Sequence, residues 1–135
     1  MTDPIEAIRD YLLTKTDLTT LLAAYKGSYA LFTGTDTPGE GYTPAQGGAV
    51  CLTVRGGQPD FSDALLKPSV QAKCYGSSPR VASAVYRAVY GALHNARGGR
   101  LVRWGQCDVL GQALSEQSTQ WNFVLSYYTV WVANP

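Results

Sequence analysis

One histidine and ten acidic residues are the side chains from which this 135-residue sequence would have to build a general acid–base centre. Nucleophilic catalysis needs a base beside the nucleophile, and the only imidazole is His94, ahead of Asn95 and Arg97 at the end of an expected helix. A histidine there ordinarily faces solvent and complements the helix dipole. Asp60 and Asp63 lie three apart, and Asp36 and Glu40 four apart, but both pairs fall in stretches with no helical or strand period to fix their separation. Cys51, Cys74 and Cys107 are odd in number, form no CxxC pair, and with one histidine cannot complete a zinc set. Each lies in an expected strand, where a free cysteine behaves as a small hydrophobe. Gly34, Gly39 and Gly41 do not make a phosphate cradle, because Thr-Pro-Ala-Gln follows and no Gly-Lys-Ser/Thr sequence is present. The chain reads as a non-enzyme, with no catalytic, cofactor-binding or metal-binding residue expected.

Composition points the same way. Hydrophobic residues make up 45% of the chain and charged residues only 16%, below the usual quarter, so its surface is easy to desolvate against another protein. A net charge of +1 supplies no overall field for nucleic acid or membrane, and Arg97, Arg100 and Arg103 read as a solvated turn. No basic segment with an apolar run opens the chain and no stretch approaches a membrane span, so a soluble product made inside a cell is expected, in keeping with unpaired cysteines. The length suits one domain over residues 1–135.

The elements follow from periodicity. Asp3-Pro4-Ile5-Glu6 is a helix start, with Ile5, Ile8, Tyr11, Leu12 and Leu13 at helical spacing. Thr16 or Asp17 is expected to cap a second short helix carrying Leu18, Leu21, Leu22 and Tyr25 and stopped by Lys26-Gly27-Ser28. A short strand is expected over residues 29–32. Residues 33–48 are rich in turn formers and read as a long flexible loop whose one large apolar residue, Tyr42, would anchor it on a partner. Residues 49–55 alternate as a strand, 56–67 are irregular, and 69–76 alternate again, with Val70, Ala72 and Cys74 opposite Gln71, Lys73 and Tyr75. Ser77-Ser78-Pro79 opens the main helix, residues 79–95, whose inner stripe is Val81, Ala82, Val85, Ala88, Val89, Ala92 and Leu93. Gly98-Gly99 turns the chain into strands over 101–110 and 121–132, joined by a long connection.

The last strand is apolar on both faces: Trp121, Phe123, Leu125, Tyr127 and Trp131 on one, Val124, Tyr128, Val130 and Val132 on the other. Such a strand is normally covered on both sides. The main helix can cover one face; the N-terminal helices or a neighbouring subunit would cover the second. An aromatic strand could also serve as an RNA platform, but the basic-aromatic consensus of such platforms is missing.

In this order the elements resemble the tail-completion and tail-terminator proteins of long-tailed bacteriophages and phage-like particles. The resemblance rests on the N-terminal helix (residues 4–24), the strand at 50–54, the Tyr75-Gly76-Ser77-Ser78-Pro79 junction into an Ala/Val-rich helix (70–95), and Gly-Gly-Arg-Leu-Val leading into a closing pair of strands (99–132). It covers nearly the whole chain through pattern and order, without a single diagnostic motif. It implies an α+β subunit with a mainly antiparallel sheet, one main helix packed on it and short N-terminal helices. The implied assembly is a ring, typically a hexamer, that caps the tail tube at the head–tail junction of the virion and ends tube polymerisation. Its implied partners are copies of itself, the major tail tube protein and the head–tail connector or stopper, with DNA passing through the lumen without specific binding and no membrane contact. A head-side connector or stopper ring is the alternative, and a monomeric nucleic-acid- or ligand-binding module a further one. Tyr42, Phe61, Trp104, Trp121, Tyr128 and Trp131 are the expected interface residues, with the last strand and a sheet edge forming one patch and the loops near Tyr42 and Phe61 the other.

Overall fold

The computed structural model describes residues 3–59 and 64–134. Helix α1 (Pro4–Leu13) starts as its sequence dictates: the Asp3 carboxylate accepts from the Ile5 backbone N–H at 3.1 Å, and Pro4 occupies the first turn. The second helix, α2 (Thr16–Thr19), is a single turn with Lys15 at its N-cap and no side-chain cap bond, shorter than expected. Lys26-Gly27 does not end it. Both residues have positive φ, 47° and 78°, and they form the turn of a small hairpin between β1 (Ala24–Tyr25) and β2 (Ser28–Tyr29). Positive φ at both central positions is what a tight hairpin turn matched to the twist of its strands requires.

A five-stranded sheet follows, built from β3 (Leu31–Thr33), β4 (Ala49–Pro59), β5 (Leu65–Gly76), β6 (Val102–Ser115) and β7 (Asn122–Ala133) in the order β3-β4-β5-β7-β6. Only β3–β4 is parallel; the other neighbours run antiparallel. The fold is therefore α+β with a mostly antiparallel sheet, one main helix and short N-terminal helices. Strand β7 lies inside the sheet, between β5 and β6, so the edge belongs to β6. Strands β4 and β5 are longer than their alternation predicts, because Gly56 and Gly57, at φ 91° and 125°, absorb a register shift after Val54 and let pairing resume.

Helix α3 (Pro79–Leu93) is capped by Ser78, whose hydroxyl accepts from the Val81 N–H at 3.3 Å. Its buried side chains Ala82, Val85, Val89, Ala92 and Leu93 lie on Val70, Ala72, Cys74, Tyr128, Val130 and Val132. Ala7, Ile8 and Leu12 of α1 and Leu18 of α2 join this same core. The N-terminal helices thus share the face covered by α3 and leave the opposite face of the sheet without an α-helix; a single 3-10 turn at Pro44–Gln46 belongs to the segment that folds over it. The packing is close: a Cβ on Gly105 would lie 2.1 Å from the Leu93 carbonyl oxygen, and one on Gly76 2.3 Å from the Ala82 nitrogen.

On the opposite face, residues 34–48 fold over one end of the sheet instead of extending as a flexible loop. Tyr42 is 2% exposed and packs with Ala23, Ala30, Ala49, Cys51, Tyr75 and Phe123, flanked by Tyr25, Phe32, Trp121 and Leu125. Its hydroxyl donates to the Gly47 carbonyl at 2.6 Å, and the Tyr25 hydroxyl donates to the Glu40 carbonyl at 2.7 Å. Hydrogen bonds to backbone carbonyls let a segment without Val, Leu, Ile or Met hold one shape.

Candidate interaction surface

No reaction centre is assembled among the described residues. The His94 Nδ1 accepts the Cys107 backbone N–H at 3.0 Å, and its ring stacks on Tyr90 at 4.9 Å, so the one imidazole caps the backbone of β6. Burial pushes the Cys51 thiol up to about 12 and raises the Cys74 thiol, keeping both protonated. No group of three or more His, Cys, Asp or Glu side chains capable of holding a metal occurs among the described residues. Asp60 and Asp63 lie outside them. Arg97, Arg100 and Arg103 are exposed and have no ion-pair partner among the described residues. Arg97 and Arg100 border a hollow of about 380 Å³ against α1, together with Asp10 and Lys15, so its lining has mixed charge.

The surface that stands out is the helix-free face of the sheet. It falls into three zones, set by alternation along β5 and β7. At the end under residues 34–48, Trp121 meets Tyr42 edge-on at 5.8 Å and Tyr75 at 6.3 Å. The connection from β6 to β7 folds back there and brings Glu116 to 3.2 Å from the Lys73 ammonium, with side chains 15% and 12% exposed respectively. The Tyr75 hydroxyl also donates to the Glu116 carboxylate, and the Thr119 hydroxyl donates to its other oxygen at 3.4 Å. Burial works against the Glu116 charge, but these hydrogen bonds and the Lys73 ammonium outweigh it and hold the carboxyl below its ordinary value. Burial, followed by the bond to Glu116, raises the Tyr75 phenol.

In the middle zone, the Arg55 guanidinium donates to Gln71 Oε1 at 3.2 Å and to the Tyr127 hydroxyl at 2.9 Å, lying 5.3 Å from the Tyr127 ring centroid. At the far end Trp104 and Trp131 are a cross-strand pair with centroids 4.4 Å apart, and the Lys67 ammonium sits 5.9 Å from the Trp131 ring. These aromatics are half-buried, and beyond the Tyr42 cluster no helix or loop among the described residues covers them.

Of the residues expected at an interface, Trp104 and Trp131 come together on this open zone, while Trp121 lies at its covered end. Tyr42 and Tyr128 differ from expectation. Tyr42 is closed into the second core, and Tyr128 is 0% exposed beneath α3, accepting a hydrogen bond from Ser126 Oγ at 3.1 Å. Neither presents surface in the subunit, because Tyr128 shares the phase of the valines of β7 and Tyr42 is folded inward by its own loop. Phe61 lies outside the described residues. Sequence reasoning missed Arg55, Gln71 and Glu116, whose partners are distant in the chain. It also missed the apolar residues of β6 beyond Cys107, in a stretch split between the end of a strand and a connection. Val109, Leu110 and Leu114 there are 50%, 68% and 37% exposed.

No protein-family model matches the chain, and no curated protein matches it in sequence. Among solved structures, the chain is similar to one from the virion of a native gene transfer agent particle, at 17% identity and a TM-score of 0.62. The match covers 96% of this chain and 93% of that one. At this identity the likeness is one of fold, and it spans the helices, the sheet and the covering segment together.

Proposed function

We propose that this protein is a non-enzymatic structural subunit of a phage-like particle. More specifically, we propose that it forms a ring of the tail-terminator kind, capping the tail tube and presenting the tail side of the head–tail joint. The observation that carries this reading is the near full-length fold likeness to a chain of a gene transfer agent virion. It agrees with the element order that resembles tail-completion proteins. The open aromatic zone around Trp104 and Trp131 adds a surface of the kind that protein interfaces use, since aromatics are enriched and charge depleted at interface centres. Its partners are then copies of itself, the tail tube protein and the connector or stopper ring.

Electron microscopy of particles produced without the protein tests this. A terminator predicts tails of uncontrolled length detached from filled heads. Normal-length free tails beside filled or leaking heads would move the subunit to the connector side of the joint. Intact, functional particles would refute the structural role.

A further inference from the structure

The sheet has two stretches of open edge, and they carry most of the large exposed hydrophobic side chains among the described residues. Along β6, residues up to Cys107 are closed off: Asn95 N–H donates to the Gly105 carbonyl at 2.8 Å, and His94 accepts from the Cys107 N–H. Beyond that point, residues 108–115 pair only with β7 among the described residues. On the other side, β3 pairs with Val50, Cys51 and Leu52 and no further, so residues 53–57 of β4 have a free edge among the described residues. Five large hydrophobic residues are exposed among the described residues: Tyr29, Val54, Val109, Leu110 and Leu114. All but Tyr29 lie on these two edges.

We infer that the β6 edge of one copy pairs with the β4 edge of the next, joining the sheets of neighbouring subunits in a head-to-tail contact. Polarity supports a second copy as the occupant. Three antiparallel steps separate β4 from β6, so β4 and β6 run in opposite directions. The registers set Val54 level with Cys107 and Ala49 level with Leu114, so copies of like orientation that are offset along the strands bring the two open stretches together antiparallel, with the strands tilted in the ring. The two patches differ, which makes the contact heterologous and able to close a ring.

Irregularity supports it too. Register shifts after Cys107 and Val109 turn Val109 and Leu110 outward and leave residues 112–115 as a straight run. The β4 edge has its own shift between Val54 and Gly57. Bulges ordinarily protect an edge from indiscriminate pairing, so the regular run at residues 112–115 is the part of the β6 edge left free to pair. This contact names the self-interface of the ring proposed above and rests on that reading only for closure.

The test is a cysteine scan. In a Cys107→Ser background, whose two remaining thiols are buried, Val54→Cys is combined in turn with Val109→Cys, Leu110→Cys and Leu114→Cys. Mild oxidation is applied both to purified protein and to assembled particles. The expected result is a denaturant-resistant ladder at multiples of 14.5 kDa for at least one combination, with no ladder from any single cysteine variant. All four positions are exposed, so thermal unfolding close to that of the parent confirms folded variants. Dimers alone, equally from the single β6 variants, would mean β6 pairs with β6 and would overturn the inference. No cross-link in either preparation would overturn it as well. A ladder from purified protein beside particles that assemble normally without the chain would keep this contact and remove the virion role.

Discussion

Lys73, Tyr75 and Glu116 form the most consequential side-chain cluster of the open face, because a carboxylate held under cover needs every partner it has. Glu116→Gln keeps a hydrogen-bonding group in place but leaves the Lys73 ammonium without its counter-charge. At pH 7 it should lower unfolding free energy by about 1.5–3 kcal/mol, the range for hydrogen bonds to charged groups. The sign with pH follows from the depressed carboxyl. Its stabilisation is fully present above the ordinary glutamate value and is lost as pH falls through the lower folded-state value. The gap between Glu116→Gln and the parent, read by denaturant titration, should therefore close in that acidic window; a gap that persisted there would assign the effect to packing. Tyr42→Asp places a charge in the second core and should destabilise the subunit by several kcal/mol, so it reads out folding and not docking. Strand alternation was enough to put Lys73 and Tyr75 on one face. Glu116, 43 positions from Lys73, could not be paired with it from the sequence, and neither could Arg55 with Tyr127, 72 positions apart.

Among the elements, α3 was the most legible, because a serine cap, a proline in the first turn and a 3.6-residue apolar stripe all agree. Less legible was how near it lies to the sheet, which depends on glycines that read as mere punctuation. Gly105→Ala would drive a methyl group into the Leu93 carbonyl, and it should cost about 1–3 kcal/mol or more by overpacking. A shift of the denaturation midpoint at unchanged slope would be the expected signature. Gly56-Gly57 misled in a different way: two adjacent glycines look like the end of a strand, yet here they make a bulge within a longer one. The Lys26-Gly27 pair reads as a helix stop because left-handed glycine serves helix ends and hairpins alike, and only the pairing of Ala24 with Tyr29 decides between them. Residues 33–48 read as a flexible loop from composition, since hydrogen bonds to carbonyls leave no trace in hydrophobicity.

At the scale of the whole molecule, the asymmetry between the two sheet faces dominates. Among the described residues, one face lies beneath all three α-helices, and the other is half-covered by a largely irregular segment with a single 3-10 turn. Leu110→Lys with Leu114→Lys should leave stability nearly unchanged, within about 0.5 kcal/mol per site as for ordinary surface changes, while abolishing self-association. Sedimentation of parent and variant over a concentration series would show it; equal behaviour of two associating species would refute a role for this edge. That β7 would be apolar on both faces was legible in its residues. Which strand would stand at the edge was not, because strand order depends on pairings between segments far apart in the chain. All three tryptophans, Trp104, Trp121 and Trp131, lie on the helix-free face, and none lies in the core beneath α3. The tryptophan emission of the subunit, excited selectively over its nine tyrosines, is therefore a gauge of that face alone: docking of a partner over it should shift the spectrum to the blue and shield it from soluble quenchers, with no label attached.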